Sequence, residues 1–197
     1  MSGISGLASN QDAGSKMPQA AELNRWINLE KVSLLALDHS VHSCKILTQI
    51  VRGFGIRNVR ACTRADDARD ALSHSVFDLA IVDPGTDGEG IELLRWLRRQ
   101  ERNANRFVPV ILVSGHSTPS MVWRARDSGA SYFIAKPLTA ATLLDRILWV
   151  ARDKRPFVEV GDYLGPDRRF KEDGPPEGSA GRRASDLDID DDKKGAA

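Results

Sequence analysis

Short apolar runs recur at regular intervals through the middle of the chain. The runs that predict strands are Val32–Leu37, Asn58–Cys62, Leu79–Val82, Val110–Val113 and Tyr132–Ala135. Leu79–Val82 and Val110–Val113 are apolar throughout, which is typical of strands buried on both faces of a parallel sheet. The pattern therefore predicts a sheet whose two faces are both covered.

Between these runs, apolar residues recur at helical spacing. The predicted helices are Val41–Gly53, Ala65–Ser73, a segment around Ile91–Leu97 that ends in Arg98 and Arg99, Ser120–Ser128 and Ala140–Arg152. Five strands alternate with five helices, and crossovers between parallel strands are right-handed. The sequence thus predicts an α/β fold with a doubly wound, five-stranded parallel sheet.

The apolar content, 41% of the whole chain, is unevenly distributed. Residues 1–30 are mostly small and polar, and residues 153–197 are rich in Gly, Pro, Asp and Arg. Such ends bury too little apolar surface to offset the entropy of ordering. We expect a folded domain over 31–152, a flexible N-terminal segment over 1–30 and a disordered tail over 153–197.

Other bulk features exclude several classes of protein. The two cysteines, Cys44 and Cys62, give no disulfide framework. No apolar run approaches membrane-spanning length, and the N-terminus lacks the pattern of a signal peptide. The formal net charge is +1, and the segment beyond the predicted domain is too short for a DNA-binding output domain. We expect a cytoplasmic protein.

Polar groups stand where four of the predicted strands end. They are Asp38, Asp83, Ser114 and Lys136, the last followed by Pro137. The carboxyl ends of parallel strands meet in one crevice, so these side chains should gather there. Two carboxylates, a hydroxyl and an amine in one crevice suit phosphoryl chemistry. An enzyme is disfavoured, because the chain contains neither a nucleophile elbow nor a glycine-rich phosphate loop.

This arrangement resembles the receiver domain of bacterial two-component response regulators, the CheY-like family. The resemblance covers about residues 31–152 and implies a flavodoxin-like (βα)5 fold with strand order 2-1-3-4-5. It implies that Asp83 is the phosphoacceptor and that Ser114 and Lys136 bind the phosphoryl group. It further implies that Phe133 is the switch aromatic and that the Lys136-Pro137 peptide bond is cis.

The same resemblance implies a cofactor and partners. Mg²⁺ would be held by the carboxylates of Asp38 and Asp83, as its preference for oxygen ligands requires. The phosphoryl group would come from a sensor histidine kinase or a phosphotransfer protein. A downstream protein would dock on the face formed by the fourth helix, the fifth strand and the fifth helix.

Two departures from the family pattern leave a second interpretation open. His39 follows Asp38 where the family usually has a second acid, and imidazole is a poor ligand for Mg²⁺. The loop from Pro84 to Gly90 lacks the usual Met-Pro and is about one residue short. The chain is therefore either a phosphorylated stand-alone switch or a degenerate receiver that acts as an adaptor.

The C-terminal segment carries a second candidate site. Its residues are Tyr163, Asp167, Arg168 and Arg169, with an echo at Arg182 and Arg183. Arginine can pair with a guanine edge or stack on a base. The string resembles the arginine-rich tails of CheY-like, Cle-type cyclic di-GMP effectors, which implies binding of that nucleotide. A solvated tail or a protein-docking peptide is the alternative interpretation.

Overall fold

The computed structural model describes residues 29–168 and contains the expected parallel sheet. Its strands are β1 (Ser33–Leu37), β2 (Asn58–Cys62), β3 (Leu79–Val82), β4 (Val110–Ser114) and β5 (Tyr132–Ala135). They are hydrogen-bonded in the order β2-β1-β3-β4-β5, and each pair is parallel. The predicted fold class and strand order are confirmed.

Five helices connect and follow these strands. They are α1 (Val41–Gly53), α2 (Ala65–His74), α3 (Glu89–Arg98), α4 (Pro119–Asp127) and α5 (Ala140–Ala151). Side chains of Ser40, Thr118 and Thr139 each accept a hydrogen bond from the backbone N–H three residues on, which starts α1, α4 and α5. Two short 3-10 helices, Leu29–Lys31 and Ala104–Phe107, lie outside this alternation.

Alternate residues of the central strands feed two separate cores. Leu34, Ala36 and Ile81 pack with α1 and α5, whereas Leu35 and Leu37 pack with α2, α3 and α4. This division follows from the pleat, because successive side chains of a strand point to opposite faces. Within residues 29–168, no helix has the length and apolarity needed to cross a membrane.

Contrary to the prediction of a disordered tail from residue 153, the chain continues beyond α5 in regular structure. Residues Phe157–Val160 (β6) and Tyr163–Pro166 (β7) form an antiparallel hairpin around Gly161, whose φ is 56°. Leu164 is buried, and the Phe157 ring meets the Phe107 ring edge-on at 5.8 Å. The Gly, Pro and Asp content suggested disorder, but these few apolar side chains are enough to fix the hairpin on the domain. Residues 1–28 and 169–197 lie outside the described part of the chain.

Arg98 holds this hairpin to the amino end of the sheet. Its side chain is buried, and its guanidinium donates to the carbonyl oxygens of Arg106 at 2.5 Å, Val108 at 2.8 Å and Gly129 at 3.1 Å. The same group lies 5.0 Å from the centre of the Phe157 ring. Burial lowers the pKa of Arg98 well below its ordinary value. Arg98, which the sequence indicated only as the end of a helix, therefore connects the hairpin to two loops of the domain.

Candidate functional site

A cleft of about 440 Å³ opens at the carboxyl ends of β1, β3 and β5. Asp38, Asp83 and Lys136 line it together, as their positions at strand ends predicted. Asp38 follows β1, Asp83 follows β3, and Lys136 follows β5. The sheet therefore brings together three groups that are up to 98 residues apart in the sequence.

Lys136 links the two carboxylates. Its Nζ lies 2.7 Å from Oδ2 of Asp38 and 2.5 Å from Oδ2 of Asp83. Burial by itself lowers the pKa of Lys136, but hydrogen bonds to Asp38 and Asp83 and their negative charges outweigh burial and raise it above the ordinary value. The ammonium is thus charged at neutral pH and stands between the two acids.

Backbone groups orient both carboxylates. Oδ1 of Asp38 accepts a hydrogen bond from the N–H of Ser40 at 2.9 Å, and Oδ1 of Asp83 accepts from the N–H of Gly85 at 2.8 Å. Each acid is therefore fixed by its own following turn, with its second oxygen directed at Lys136. Such short-range bonds between an acid and a backbone N–H two residues on are favoured in turns.

His39 lies beside this group. A Cβ on Gly85 would be 2.9 Å from Nε2 of His39, so the imidazole packs against the backbone that follows Asp83. Nδ1 of His39 is 3.9 Å from Oε2 of Glu89, at the start of α3. Where the family usually has a second acid, this chain thus presents the imidazole of His39 to the cleft instead of a carboxylate.

The donor set can be tested against Mg²⁺. Among residues 29–168, no cluster of three or more His, Cys, Asp and Glu side chains has the geometry of a metal site. The cleft nevertheless offers the carboxylates of Asp38 and Asp83, and Mg²⁺ is often held by one or two carboxylates with water completing its shell. These two carboxylates could therefore supply the protein oxygens for Mg²⁺.

Ser114 is buried at the end of β4 and is turned into its own loop. Its hydroxyl donates to the carbonyl of His116 at 2.9 Å and accepts from the N–H of His116 at 3.0 Å. Phe133 is half-buried and packs against the core on the α2–α4 side. The Lys136-Pro137 peptide bond is cis, as the resemblance implied.

Several residues that line the cleft were not predicted as site residues from the sequence. Glu89, His116 and Thr86 line it, and Gly90 brings α3 against β3 so closely that a Cβ there would overlap the carbonyl oxygen of Asp83. The glycine in the turn was a visible signal for such a close approach. His116 gave no comparable signal, because its place depends on the path of the loop after β4.

The candidate residues of the tail are only partly described. The Tyr163 hydroxyl donates to the carbonyl of Pro166 at 2.8 Å, and the backbone N–H of Asp167 donates to the carbonyl of Pro156 at 2.8 Å. Arg168 stacks on Tyr163, 3.9 Å from the ring centre, and its guanidinium pairs with Asp127 at 2.9 Å. The remaining candidates, Arg169, Arg182 and Arg183, lie outside the described residues.

Comparison with known families gives a match over more than half of the chain. Residues 34–148 match the response regulator receiver domain. The sensory/regulatory protein RpfC of Xanthomonas campestris is 31% identical over 123 residues, which is 62% of this chain but only 17% of RpfC. The chain therefore spans a small fraction of that relative.

Smaller proteins match along most of their length. The chemotaxis protein CheY-3 of Vibrio cholerae is 25% identical over 119 residues, covering 60% of this chain and 90% of CheY-3. The solved structure of CheY4 of V. cholerae superposes with a TM-score of 0.55 at 21% identity, over 60% of this chain and 98% of CheY4. That structural likeness supports the fold. The hairpin beyond α5 lies outside the matched range of the family.

Proposed function

Because this chain belongs to the response regulator receiver family, we propose that it accepts a phosphoryl group on Asp83 and signals by docking on a partner protein. Receiver domains are signalling domains that act with histidine kinases or phosphotransfer proteins. The observation that carries the proposal is the contact of Lys136 with both Asp38 and Asp83 in one cleft.

The chemistry follows from this arrangement. An oxygen of the Asp83 carboxylate attacks the phosphorus of a donor phosphohistidine, the new P–O bond forms, and the P–N bond to the donor imidazole breaks. Alignment matters because a carboxylate is a weak nucleophile. The bond from the Gly85 N–H holds Asp83 in one orientation, and Lys136 offsets negative charge on the transferred oxygens.

A metal ion held by the two carboxylates would assist the transfer of the phosphoryl group. Bound by Asp38 and Asp83, Mg²⁺ would neutralise charge on the phosphoryl oxygens. Ser114 then has a separate task. Its hydroxyl would leave the His116 backbone and donate to the phosphoryl group, which changes the loop before α4.

The docking half of the proposal is supported by the composition of the surface around β5. Trp123 on α4 is 56% exposed and Trp149 on α5 is 38% exposed. Val122 on α4 is also exposed, and Tyr132 on β5 is half-buried. Exposed Trp and Tyr side chains are enriched at the energetic centres of interfaces. This α4–β5–α5 face is the surface we propose for the downstream partner.

The phosphoacceptor is tested on the full chain with Mg²⁺ and acetyl phosphate. Intact-protein mass spectrometry should show the addition of one phosphoryl group, and Asp83→Asn should abolish it. Asp87→Asn is the matched control, because Asp87 lines the same cleft without contacting Lys136. A phosphoryl group that persists in Asp83→Asn would place the acceptor elsewhere.

The degenerate adaptor is the competing outcome of the same experiment. It predicts no mass shift with acetyl phosphate or with any donor kinase, while partner binding is retained in Asp83→Asn. Partner pull-down with wild-type chain and Asp83→Asn, each with and without the phosphoryl donor, separates the two. A dependence on the donor that requires Asp83 supports the switch.

A specific observation also supports a nucleotide-binding role for the hairpin. A cleft of about 500 Å³ lies between the hairpin, α3 and the end of α4. Four arginines and Tyr163 line it, together with three acidic residues; the charged residues are Arg95, Arg98, Arg99, Arg168, Glu92, Asp127 and Asp162. Its size, its arginines and the Tyr163 ring, with carboxylates beside them, suit a small ligand that carries both negative charge and hydrogen-bond donors. Nε of Arg168 is buried without a hydrogen-bond partner among the described residues. Cyclic di-GMP is the ligand we propose for this second role.

Calorimetry with the full chain tests that role. Titration of cyclic di-GMP into the wild-type chain should give a measurable heat of binding. Arg168→Ala and Arg99→Ala should each weaken that binding. Arg69→Ala is the matched control, because Arg69 lies on α2 and does not line this cleft. Absence of heat, or equal affinity in all variants, would remove this second role and leave the first unaffected.

A further inference from the structure

The α4–β5–α5 face carries three aromatic rings, and an arginine lies over each. The guanidinium carbon of Arg126 is 5.2 Å from the Trp123 ring centre, that of Arg146 is 5.0 Å from Tyr132, and that of Arg155 is 5.0 Å from Trp149. The rings of Tyr132 and Trp149 meet edge-on at 5.3 Å. We call these six residues the aromatic–arginine face.

The orientation of α4 places its share of this face next to β5. Met121 and Ala125 are buried, and Arg124 lies on the flank toward α3, where a Cβ on Gly88 would be 2.6 Å from its guanidinium. At about 100° per residue, Arg126 and Val122 then lie on the opposite flank. Because β5 is the last strand of the sheet, this flank borders the exposed edge between α4 and α5.

The face is positively charged as well as aromatic. Within residues 29–168, the guanidinium groups of Arg126 and Arg146 have no carboxylate within ion-pair distance. Arg155 is paired with Asp153. A ligand that fits this face should combine carboxylates with aliphatic side chains, since rings with arginines over them offer both kinds of contact.

The chain itself contains such a ligand. Residues 186–192 read Asp-Leu-Asp-Ile-Asp-Asp-Asp, so five carboxylates surround Leu187 and Ile189. We call this the acidic segment. Its composition matches the aromatic–arginine face in both charge and apolar character.

The distance between the two is short enough for contact within one chain. The described chain ends at Arg168, which pairs with Asp127 on the α3 side of α4 and donates a hydrogen bond to the backbone carbonyl of Arg126, a residue of the face. The 17 residues from 169 to 185 can span at most about 60 Å. A domain of this size has a radius of gyration of only about 14 Å, so the acidic segment can reach any part of the face.

We propose that the acidic segment, residues 186–192, occupies the aromatic–arginine face of its own chain and so competes with the downstream partner. This inference rests on the docking half of the proposed function. Tethering gives the segment a high effective concentration, so a weak contact is sufficient to cover the face. A partner must then displace the segment, and its own binding surface should be acidic and apolar.

Another basic surface is a poorer match. The groove between α1 and β2 is lined by Lys45, Arg52 and Arg60 and by apolar groups, but it also contains Asp67 and has no aromatic residue among those that line it. Leu187 and Ile189 would find no aromatic ring there, and the carboxylate of Asp67 would repel those of the acidic segment. This groove therefore provides the matched control surface.

The test uses the full chain with a nitroxide spin label on Ser185→Cys. Cys44 and Cys62 are buried, and burial raises the pKa of both thiols, so the label should react at position 185 alone. The NMR signals of the indole N–H groups of Trp123 and Trp149 should lose intensity when the label is paramagnetic. The signal of Trp96, on α3, should keep its intensity.

Three variants decide whether the contact is the proposed one. Replacing Asp186, Asp188 and Asp190 by Asn should restore the Trp123 and Trp149 signals, and Arg126→Glu with Arg146→Glu should do the same. Arg52→Glu with Arg60→Glu should leave the loss of signal unchanged. Restoration by this last pair instead, or equal loss at Trp96, would overturn the proposal.

A mixed sample separates contact within a chain from contact between chains. When unlabelled ¹⁵N chain is mixed with spin-labelled ¹⁴N chain, the indole signals should keep their intensity. Loss of signal there would assign the face to a second copy and overturn the proposal. None of these measurements needs a phosphoryl donor, so a failure to phosphorylate Asp83 would leave their result unaffected.

Discussion

At the carboxyl end of the sheet Lys136 lies between the carboxylates of Asp38 and Asp83, whereas at the amino end Arg98 is enclosed by carbonyl oxygens and the Phe157 ring. Both ends therefore hold a partly or fully buried cation. Their pKa values shift in opposite directions: acids raise that of Lys136, and burial lowers that of Arg98. Lys136 is thus surrounded by charged groups, whereas Arg98 makes a fixed structural contact between the hairpin and the domain.

The physical cause is the kind of group that surrounds each cation. A metal ion or the proposed phosphoryl group would change the full negative charges next to Lys136, so the balance of charge at that end would depend on what is bound. Backbone carbonyls next to Arg98 are fixed dipoles that no ligand changes. We expect mutations of Arg98 and Gly129 at the amino end to affect stability, and mutations of the residues around Lys136 at the carboxyl end to affect binding and chemistry.

The largest expected effect is from Arg98→Met. Removing the guanidinium leaves the carbonyls of Arg106, Val108 and Gly129 without their donor, and each unsatisfied buried group costs about 1–3 kcal/mol. We expect a loss of about 3 kcal/mol or more in the free energy of unfolding, measured by urea denaturation. The exposed neighbour Arg99→Met should change it by less than about 0.5 kcal/mol. Equal effects of the two substitutions would contradict the assigned role of Arg98.

A smaller loss of stability is expected from Gly129→Ala, also at the amino end. Gly129 has a φ of 84°, and a Cβ there would overlap the carbonyl oxygen of Leu164 in the hairpin. Both the strained backbone and the displaced hairpin should lower the free energy of unfolding, by about 2 kcal/mol together.

Gly115→Ala supplies the control at the carboxyl end. Nothing lies within 4 Å of a Cβ at Gly115, so this substitution should be nearly neutral in the same denaturation experiment. If Gly129→Ala proves as mild as Gly115→Ala, the hairpin contact contributes little.

At the carboxyl end, His39→Asp should strengthen metal binding. A third carboxylate beside Asp38 and Asp83 supplies the oxygen ligand that imidazole lacks, so Mg²⁺ affinity should rise about tenfold, by about 1.4 kcal/mol. Calorimetric titration with MgCl₂ measures it. His42→Asp, an exposed position on α1, adds the same charge outside the cleft and should have little effect.

The smallest expected effect is a difference in alkaline pH dependence. The pKa of Lys136 is higher in the folded than in the unfolded chain, so its stabilisation is complete below the unfolded value of about 10.4 and is lost as pH rises through the folded value. The free energy of unfolding of wild type should therefore fall more steeply above about pH 10 than that of Lys136→Met. Parallel pH profiles would show that the ion pairs contribute no net stability.

The carboxyl end was the more predictable of the two from sequence. Asp38, Asp83 and Lys136 each follow a short apolar run, and parallel topology alone places such positions in one cleft. The orientation of Ser114 toward His116 was not predictable, because a hydroxyl has several partners within reach in a loop.

The amino end was missed for physical reasons. Arg98 follows helical spacing as an ordinary last-turn cation, and nothing local reveals that three carbonyls from two other segments will surround it. The hairpin did leave a signal, because Gly161-Asp162 separates two short runs that contain Val158, Val160 and Leu164. The composition of the tail outweighed that local pattern in the sequence-based interpretation.

The paired hydrogen bonds between the Ser114 hydroxyl and the His116 backbone have a consequence for the resting equilibrium. The hydroxyl cannot turn toward Asp83 without releasing both bonds, so the two loop arrangements are alternatives. At about 1 kcal/mol for each bond, the loop favours the observed arrangement by about 2 kcal/mol. A few per cent of molecules would then adopt the other arrangement, which, under the proposed function, would set the background level of signalling in the absence of a phosphoryl donor.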